Sequence, residues 1–302
     1  MSLLNIFANN LLPVLLLMGA GFLLGKTFHL EPRTLGRVIF YILSPLLVFN
    51  LITTSQLSFG KIGLMMGFAL SVMLLTSSLG FLLAKLFRLE RTAVMVVVLT
   101  CLIGNNGNYG LPIISFAFGP EALAYASIYF VSSNIMVYTL GVLTASLGRM
   151  NFRAALLGLL KVPAIYSILI AMLFVRTGWA LPEPIQRTVS IASGGAIPAM
   201  LILLGLELQR AEWTRKLRTL SIPVFCRLVA GPFIALGLAS LFGLPPVARQ
   251  AGVTEAGMPS AVMTTILATE YNLEPSLVTA IVFTSTILSP LTLTPLLYFL
   301  GK

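Results

Sequence analysis

Apolar residues fill the chain in long runs, separated by short turns rich in Pro, Gly and charge. Taking about 20 residues as one membrane crossing, the runs divide into ten segments. They lie near residues 9–28, 34–54, 61–87, 92–118, 122–147, 155–176, 184–208, 217–242, 247–269 and 275–300. Turns such as Leu30-Glu31-Pro32-Arg33, Phe118-Gly119-Pro120-Glu121, Leu181-Pro182-Glu183-Pro184 and Leu273-Glu274-Pro275 punctuate them. The pattern predicts an all-α polytopic membrane protein of ten transmembrane helices.

Two segments are interrupted from within. Thr100 to Pro112 contains Gly104, Asn105, Asn106, Gly107, Asn108, Tyr109, Gly110 and Pro112. Gly is a weak helix former, and Pro removes a donor and clashes one turn back. Val253 to Ser260 is broken in the same way by Gly257 and Pro259. In lipid, a broken backbone survives only where protein or a water-filled cavity satisfies the freed N–H and C=O groups. Both breaks are therefore expected to line a site.

Composition narrows the class. The 302 residues are 58% hydrophobic and 9% charged, against about 25% charged in soluble domains. No loop is long enough to hold a soluble domain. The formal charge of +10 does not point to nucleic acid, because the basic residues sit in loops. Lys26, Arg33 and Arg37 occupy the first loop, and Lys85, Arg88 and Arg91 the third. Arg149, Arg153 and Lys161 occupy the fifth, and Arg210, Arg215, Lys216 and Arg218 the seventh. Loops of the other parity hold only Lys61, Arg176, Arg187 and, at the margin, Arg249. This bias predicts cytoplasmic odd-numbered loops and both termini outside. The N-terminal apolar run has no charge before Lys26, so it reads as a first membrane helix rather than a cleaved signal. Cys101 and Cys226 lie in apolar segments and read as small core residues.

An internal repeat appears when the second half is slid over the first. Gly104 falls opposite Gly257, Glu121 opposite Glu274, Ile128 opposite Ile281 and Phe130 opposite Phe283, at one offset. Five helices per half require opposite insertion of residues 1–148 and 149–302. Inverted repeats with matching Gly/Pro interruptions point to a secondary transporter with its site near the midplane.

The chemistry of the breaks suits an anion. Half-helix N-termini carry positive dipole ends, and the amides of Asn105, Asn106 and Asn108 both donate and accept. They also suit simple capping of the broken ends. The expected substrate-binding set is Asn105, Asn106, Gly107, Asn108, Tyr109, Gly257, Met258, Pro259 and Ser260, with Gly104, Gly110, Pro112 and Pro259 shaping the crossover. Glu255 stands out, because a carboxylate at membrane depth is a functional candidate by default. It would bind Na⁺, take up a proton, or form an ion pair with Arg227. Arg227 itself is expected near one end of the bilayer, attracting an anion or neutralising a helix C-terminus. His29 reads as a solvated loop residue, and Glu207 as the water-reaching end of its segment. No Walker-type Gly-x-x-x-x-Gly-Lys-Ser/Thr motif and no metal-spaced His/Cys set occurs. ATP drive and metal catalysis therefore have no support, and no enzyme activity is expected.

Asn105 through Gly110-Leu111-Pro112-Ile113, followed by Gly119, Glu121-Ala122 and Tyr138-Thr139, resembles the fourth and fifth helices of the auxin efflux carrier family. Glu270-Tyr271-Asn272, Arg227 with Gly231-Pro232, and Pro45-Leu46-Leu47 also match, in order along the whole chain. That family includes plant PIN carriers and bacterial permeases for small carboxylates. The resemblance implies the ten-helix, five-plus-five inverted-repeat fold shared with bile-acid/sodium symporters. In that fold segments within 9–54 and 155–208 form a scaffold, and those within 61–147 and 217–300 form a transport domain. The fourth and ninth helices cross where they break. It also implies dimerisation through scaffold helices, elevator-type movement, a bacterial cytoplasmic membrane, and Asn105 as a ligand residue. PIN carriers have a small apolar residue at the position of Glu255 and Pro-Asn in place of Gly104-Asn105, whereas sodium-coupled symporters of the fold carry a Glu there. A cation-coupled permease is thus expected, with Na⁺ or H⁺ at Glu255 and neutral oxygens from Asn105, Ser132, Ser133 and Asn134. The expected partners are a small organic anion and the lipid bilayer, with no resident cofactor. An uncoupled anion uniporter and a membrane receptor without transport are the rival readings; a receptor usually carries a signalling domain, and this chain stops at Lys302.

Overall fold

The computed structural model of the protein describes residues 2–55, 57–146, 157–210 and 216–301. Arg149, Arg153 and Arg215, and the expected boundary between the halves after residue 148, lie outside the described residues. Within them the chain is helical, with no named strand. The helices are α1 (Leu3–Phe28), α2 (Pro32–Ser55), α3 (Phe59–Leu86), α4 (Arg91–Leu102), α5 (Asn106–Ala145), α6 (Pro163–Thr177), α7 (Glu183–Leu208), α8 (Leu217–Leu241), α9 (Pro246–Ala256), α10 (Val262–Glu270) and α11 (Pro275–Leu300). Seven of them, α1, α2, α3, α5, α7, α8 and α11, are long and apolar enough to cross a membrane.

Local sequence explains where helices begin, end and bend. Pro32, Pro163, Pro246 and Pro275 open their helices, where a missing N–H costs nothing. Gly178 closes α6 in the left-handed conformation at φ 68°. The 40-residue α5 changes direction at Gly119, whose φ of 76° and ψ of −168° are open only to glycine. Residues 106–118 thus continue the fourth apolar segment, and 120–145 form the fifth.

Wide π-helical turns recur at Phe7–Leu11, Ile39–Leu43, Asn106–Gly110 and Cys226–Ala230. Each is followed, two residues past its end, by a proline: Pro13, Pro45, Pro112 and Pro232. A proline cannot donate to the carbonyl four residues back and crowds it. Widening the preceding turn relieves both problems and keeps the helix going. A fifth wide turn, Val137–Gly141, has no such proline. Pro198 sits inside α7, which continues through it.

Helices α1, α2, α6 and α7 form one packed group and α3, α4, α5 and α8–α11 another, with α5 also packed against α2 and α7. In the first group α1 and α7 run backbone to backbone. A Cβ on Gly21 would strike the Ile202 carbonyl, and one on Gly205 the Met18 carbonyl. Small residues at such places let membrane helices approach closely enough for dispersion to hold them. In the second group the seventh loop joins the third and ninth: Lys216 Nζ lies 2.6 Å from Glu274 Oε2 and 3.8 Å from Glu90 Oε1. Arg210 Nη2 reaches Leu30 O at 3.5 Å, bringing the first loop to that same face.

Two outcomes follow for thermal unfolding in detergent. Gly205→Val should overpack the α1/α7 contact and destabilise by about 1–3 kcal/mol, visible as a lowered midpoint. The Lys216 contact is worth far less, about 0–1 kcal/mol for an exposed pair. The Glu274 carboxylate holds the Lys216 ammonium above the usual lysine range. Its contribution is therefore whole below the ordinary lysine pKa and is lost as pH climbs through the raised value. Lys216→Met should lower the midpoint slightly at neutral pH and low salt, and not at all at high salt.

Candidate functional site

Helix α4 stops at Leu102 and α5 starts at Asn106; α9 stops at Ala256 and α10 starts at Val262. The links between are not helical: Ile103 (φ −109°, ψ 106°) and Ala261 (φ −78°, ψ 144°) are extended. They meet as a single antiparallel bridge between Gly104 and Ser260. The Asn105 N–H donates to Pro259 O at 2.7 Å, and the Ala261 N–H donates to Ile103 O at 3.0 Å. Each break supplies partners that lipid would deny the other.

The carbonyl ends of α4 and α9 are satisfied in the same place. At the end of α4, Leu99 O accepts from the Ile103 N–H at 3.2 Å and Thr100 O from the Ser260 hydroxyl at 2.9 Å. Cys101 O faces Arg227 Nη1 at 3.4 Å. At the end of α9, Glu255 O accepts from Asn106 Nδ2 at 2.9 Å and faces Arg227 Nη2 at 3.5 Å. Beyond it, Met258 O accepts from Arg227 Nε at 3.0 Å. Arg227 is wholly buried. It lies in the interior of α8, on the wide turn before Pro232, whereas a place near one end was expected.

Glu255 is also wholly buried. Its Oε2 accepts from Asn106 Nδ2 at 2.7 Å, so one amide holds both the side chain and the main chain of this residue. Glu255 Oε1, Asn106 Oδ1, Thr254 Oγ1 and the Tyr129 hydroxyl have no hydrogen-bond partner. Gly110 packs against the carboxylate so closely that a Cβ there would collide with it.

Beside the bridge lies a cavity of about 330 Å³. Gly104, Asn105, Gly107 and Asn108 around the start of α5, and Ala261, Val262 and Met263 around the start of α10, are among its lining residues. Both half-helix N-termini therefore border one space. Asn105 is 4% exposed and its Nδ2 lacks a partner. Ser44 Oγ, in the wall contributed by α2, also lacks one. Phe40, Tyr41, Phe130 and Tyr138 give the walls aromatic surface, and Ser133 and Asn134 add polar atoms. Exposed Arg33 and Arg37, one turn apart on α2, line the cavity together with Glu207 of α7.

The expected binding residues separate into two sets. Asn105, Gly107 and Asn108 line the cavity. Asn106 turns to Glu255, and the Tyr109 hydroxyl accepts from Ser289 Oγ at 2.9 Å. Met258, Pro259 and Ser260 hold the breaks together through main-chain or hydroxyl contacts, and Gly257 packs on Pro232 and Leu296. The expected coupling set divides as well. Ser132 Oγ donates to Ile128 O within its own helix, and Ser133 faces the cavity, whose lining does not include Glu255.

The profile of the family described as membrane transport protein matches residues 6–154 and 146–297. The chain belongs to this family, of auxin efflux carrier type. It is similar to an uncharacterised transporter of Methanothermobacter thermautotrophicus, 27% identical over 283 residues that cover 92% of this chain and 93% of the relative. A second uncharacterised transporter, from Methanocaldococcus jannaschii, is 25% identical over 85% of this chain and 86% of its own length. Auxin efflux carrier component 8 of Arabidopsis thaliana is 30% identical over 138 residues, 43% of this chain and 38% of the plant protein. Both of these uncharacterised transporters are archaeal, and they lend no support to the bacterial origin expected above. The protein is an integral membrane transporter of this family, not an enzyme.

Sequence reading did not place Ser44, Phe130 or the Arg33/Arg37 pair at the site. The only signal for the arginines was their spacing of four, which keeps them on one helix face. Asn106→Ala should leave the buried Glu255 carboxylate and main-chain carbonyl without their shared amide donor and lower stability by about 1.5–3 kcal/mol. Much of that loss should vanish when the same change is made in Glu255→Gln, a coupling readable in a double-mutant cycle of unfolding midpoints.

Proposed function

We propose that the protein is a secondary active transporter of a small organic anion, a carboxylate or auxin-like compound. One observation carries the reading: the N-termini of α5 and α10 border a single cavity, lined also by Asn105, whose amide nitrogen has no partner. Helix N-termini favour negative charge and present free N–H groups to it. Asn105 and Asn108 would donate to the carboxylate, while the aromatic walls would cover the rest of the molecule. Arg33 and Arg37, on the face shared by the basic loops, would raise the local anion concentration at the mouth.

In this reading α4 with residues 106–118, and α9 with α10, are the two crossing broken helices of a five-plus-five inverted repeat. Together with the second arm of α5, α6 and the six other helices they make ten spans. The group α1, α2, α6 and α7 acts as scaffold and dimer contact, and the remainder moves against it like an elevator. The membrane is a cytoplasmic one with both termini outside. Basic loops on the cytoplasmic side would make the cavity described here inward-facing.

Glu255 is the proposed coupling residue. Oε1, Asn106 Oδ1 and the nearby Tyr129 hydroxyl are buried oxygens in want of a donor or cation, which would suit Na⁺ or a proton. A bound Na⁺ or proton would neutralise the carboxylate. The chain's own part is to exclude water there and to keep Oε2 tied to Asn106, and hence to the start of α5.

Thermal-shift screening of carboxylates, with and without Na⁺ and at two pH values, tests the site by mass action on the folded state. Malate, malonate and indole-3-acetate belong in the panel. Selective stabilisation by one of them should disappear in Asn105→Leu. Time-dependent accumulation of that compound in proteoliposomes is expected; binding without flux would make the protein a receptor. In Glu255→Gln, transport should lose its response to Na⁺ or to a pH gradient, and an unchanged response would remove Glu255 from coupling.

A further inference from the structure

We propose that Arg227 is a positioning residue for transport. Its guanidinium is a fixed cation that clamps the carbonyl ends of both interrupted helices and so aims their opposite, amide-bearing partners at the cavity. The proposal deepens the anion-transport reading and rests on it for its functional half.

The geometry is three-sided. Nη1 faces Cys101 O of α4 at 3.4 Å, Nη2 faces Glu255 O of α9 at 3.5 Å, and Nε donates to Met258 O at 3.0 Å. Only the last has an ordinary hydrogen-bond length. In the other two, a full positive charge sits against a negative helix end in a dry interior, where the attraction is strong. One planar fork with five donors can address carbonyls in three directions at once; a lysine ammonium on its single stem cannot match that set.

Two further features fit this role. A Cβ on Gly104 would overlap Arg227 Nη2, so the break in the first interrupted helix is shaped around the guanidinium. Arg227 itself is carried on the wide turn ahead of Pro232, in a helix distinct from both broken ones. A buried arginine needs a counter-charge. The acid that faces it is Glu255, whose main chain it holds. Cys101, Cys226 and Tyr129 complete the titratable surroundings.

The links from clamp to cavity are short. Met258 O, held by Arg227, is next to Pro259, whose carbonyl receives the Asn105 N–H. Cys101 is three residues before Gly104. Releasing the guanidinium frees both sides of the Gly104–Ser260 bridge at once, and Asn105 loses its fixed direction.

The test uses the full chain in detergent and in proteoliposomes, with guanidinium chloride at millimolar concentration as the probe and NaCl as the matched control. In Arg227→Ala the unfolding midpoint should fall. Guanidinium should raise it again by several degrees in a saturable way, whereas Na⁺ should not and wild type should gain nothing. Uptake of labelled malate or indole-3-acetate, whichever wild type accumulates, should be lost in Arg227→Ala and partly regained with guanidinium. Arg227→Lys should raise KM more than it lowers the maximal rate. A folded Arg227→Ala that keeps most of its transport, or one that guanidinium neither stabilises nor restores, would overturn the proposal. If Arg227→Ala does not fold, Gly104→Ala decides: it keeps the charge but displaces the fork, and wild-type KM in that variant would refute the clamp. If wild type transports neither compound, the function proposed above fails, while the stability response to guanidinium still decides whether Arg227 is a clamp.

Discussion

Everything in this fold depends on where the backbone polar groups of the two breaks find partners. A peptide group left bare in hydrocarbon costs several kcal/mol, and interrupting two helices inside the membrane frees many of them. The structure meets that requirement by bringing the breaks together. Asn105 N–H to Pro259 O and Ala261 N–H to Ile103 O are the direct exchanges, and Ser260, Asn106 and Arg227 take carbonyls that the exchange leaves over. Neither break is tenable alone. The packing of the seven surrounding helices is in service of keeping these two segments, far apart in sequence, in one register.

The pairing also sorts charge. Carbonyl ends of α4 and α9 gather around Arg227, and amide ends at the starts of α5 and α10 face the cavity. Negative dipole ends thus meet a buried cation, and positive ends meet a space suited to an anion. Glu255 sits between these regions. Its carbonyl belongs to the clamp, its carboxylate to Asn106, and Asn106 to the wide turn that opens α5. A change of charge at Glu255 would be felt at Asn105 through one intervening peptide bond, which is the shortest route by which an ion and an anion could be tied together here.

Much of this could be read from residue order, because the decisive signals were local. Gly104 through Pro112 and Gly257 with Pro259 are helix breakers inside apolar runs, and lipid leaves breakers only one kind of environment. The breaks and the burial of Glu255 follow from that. The face each asparagine takes does not. Asn105, Asn106 and Asn108 are chemically alike, and the wide turn at Asn106–Gly110 rotates them away from the spacing of an ordinary helix. So Asn105 and Asn108 reach the cavity while Asn106 turns back to Glu255. The same geometry hid Arg227. Its place along α8 could be counted, but not that α4 and α9 would end against it. Ser133 and Glu255 were expected together on chemistry alone; Ser133 lines the cavity and Glu255 does not.

Proline-linked wide turns give a physical reason for this concentration of function. A π turn adds a residue to one helical revolution, so side chains after it point where an α-helix would not send them. Ile39–Leu43 brings Phe40 and Tyr41 to the cavity, Asn106–Gly110 divides the asparagines, and Cys226–Ala230 carries Arg227 inward. Each is bound to a proline two residues beyond its end, and the proline is what makes the wide turn the better conformation. Replacing such a proline would let the helix tighten and would rotate the residues before it. In this protein the prolines are therefore less breaks in the helices than the means by which three of those helices aim their side chains.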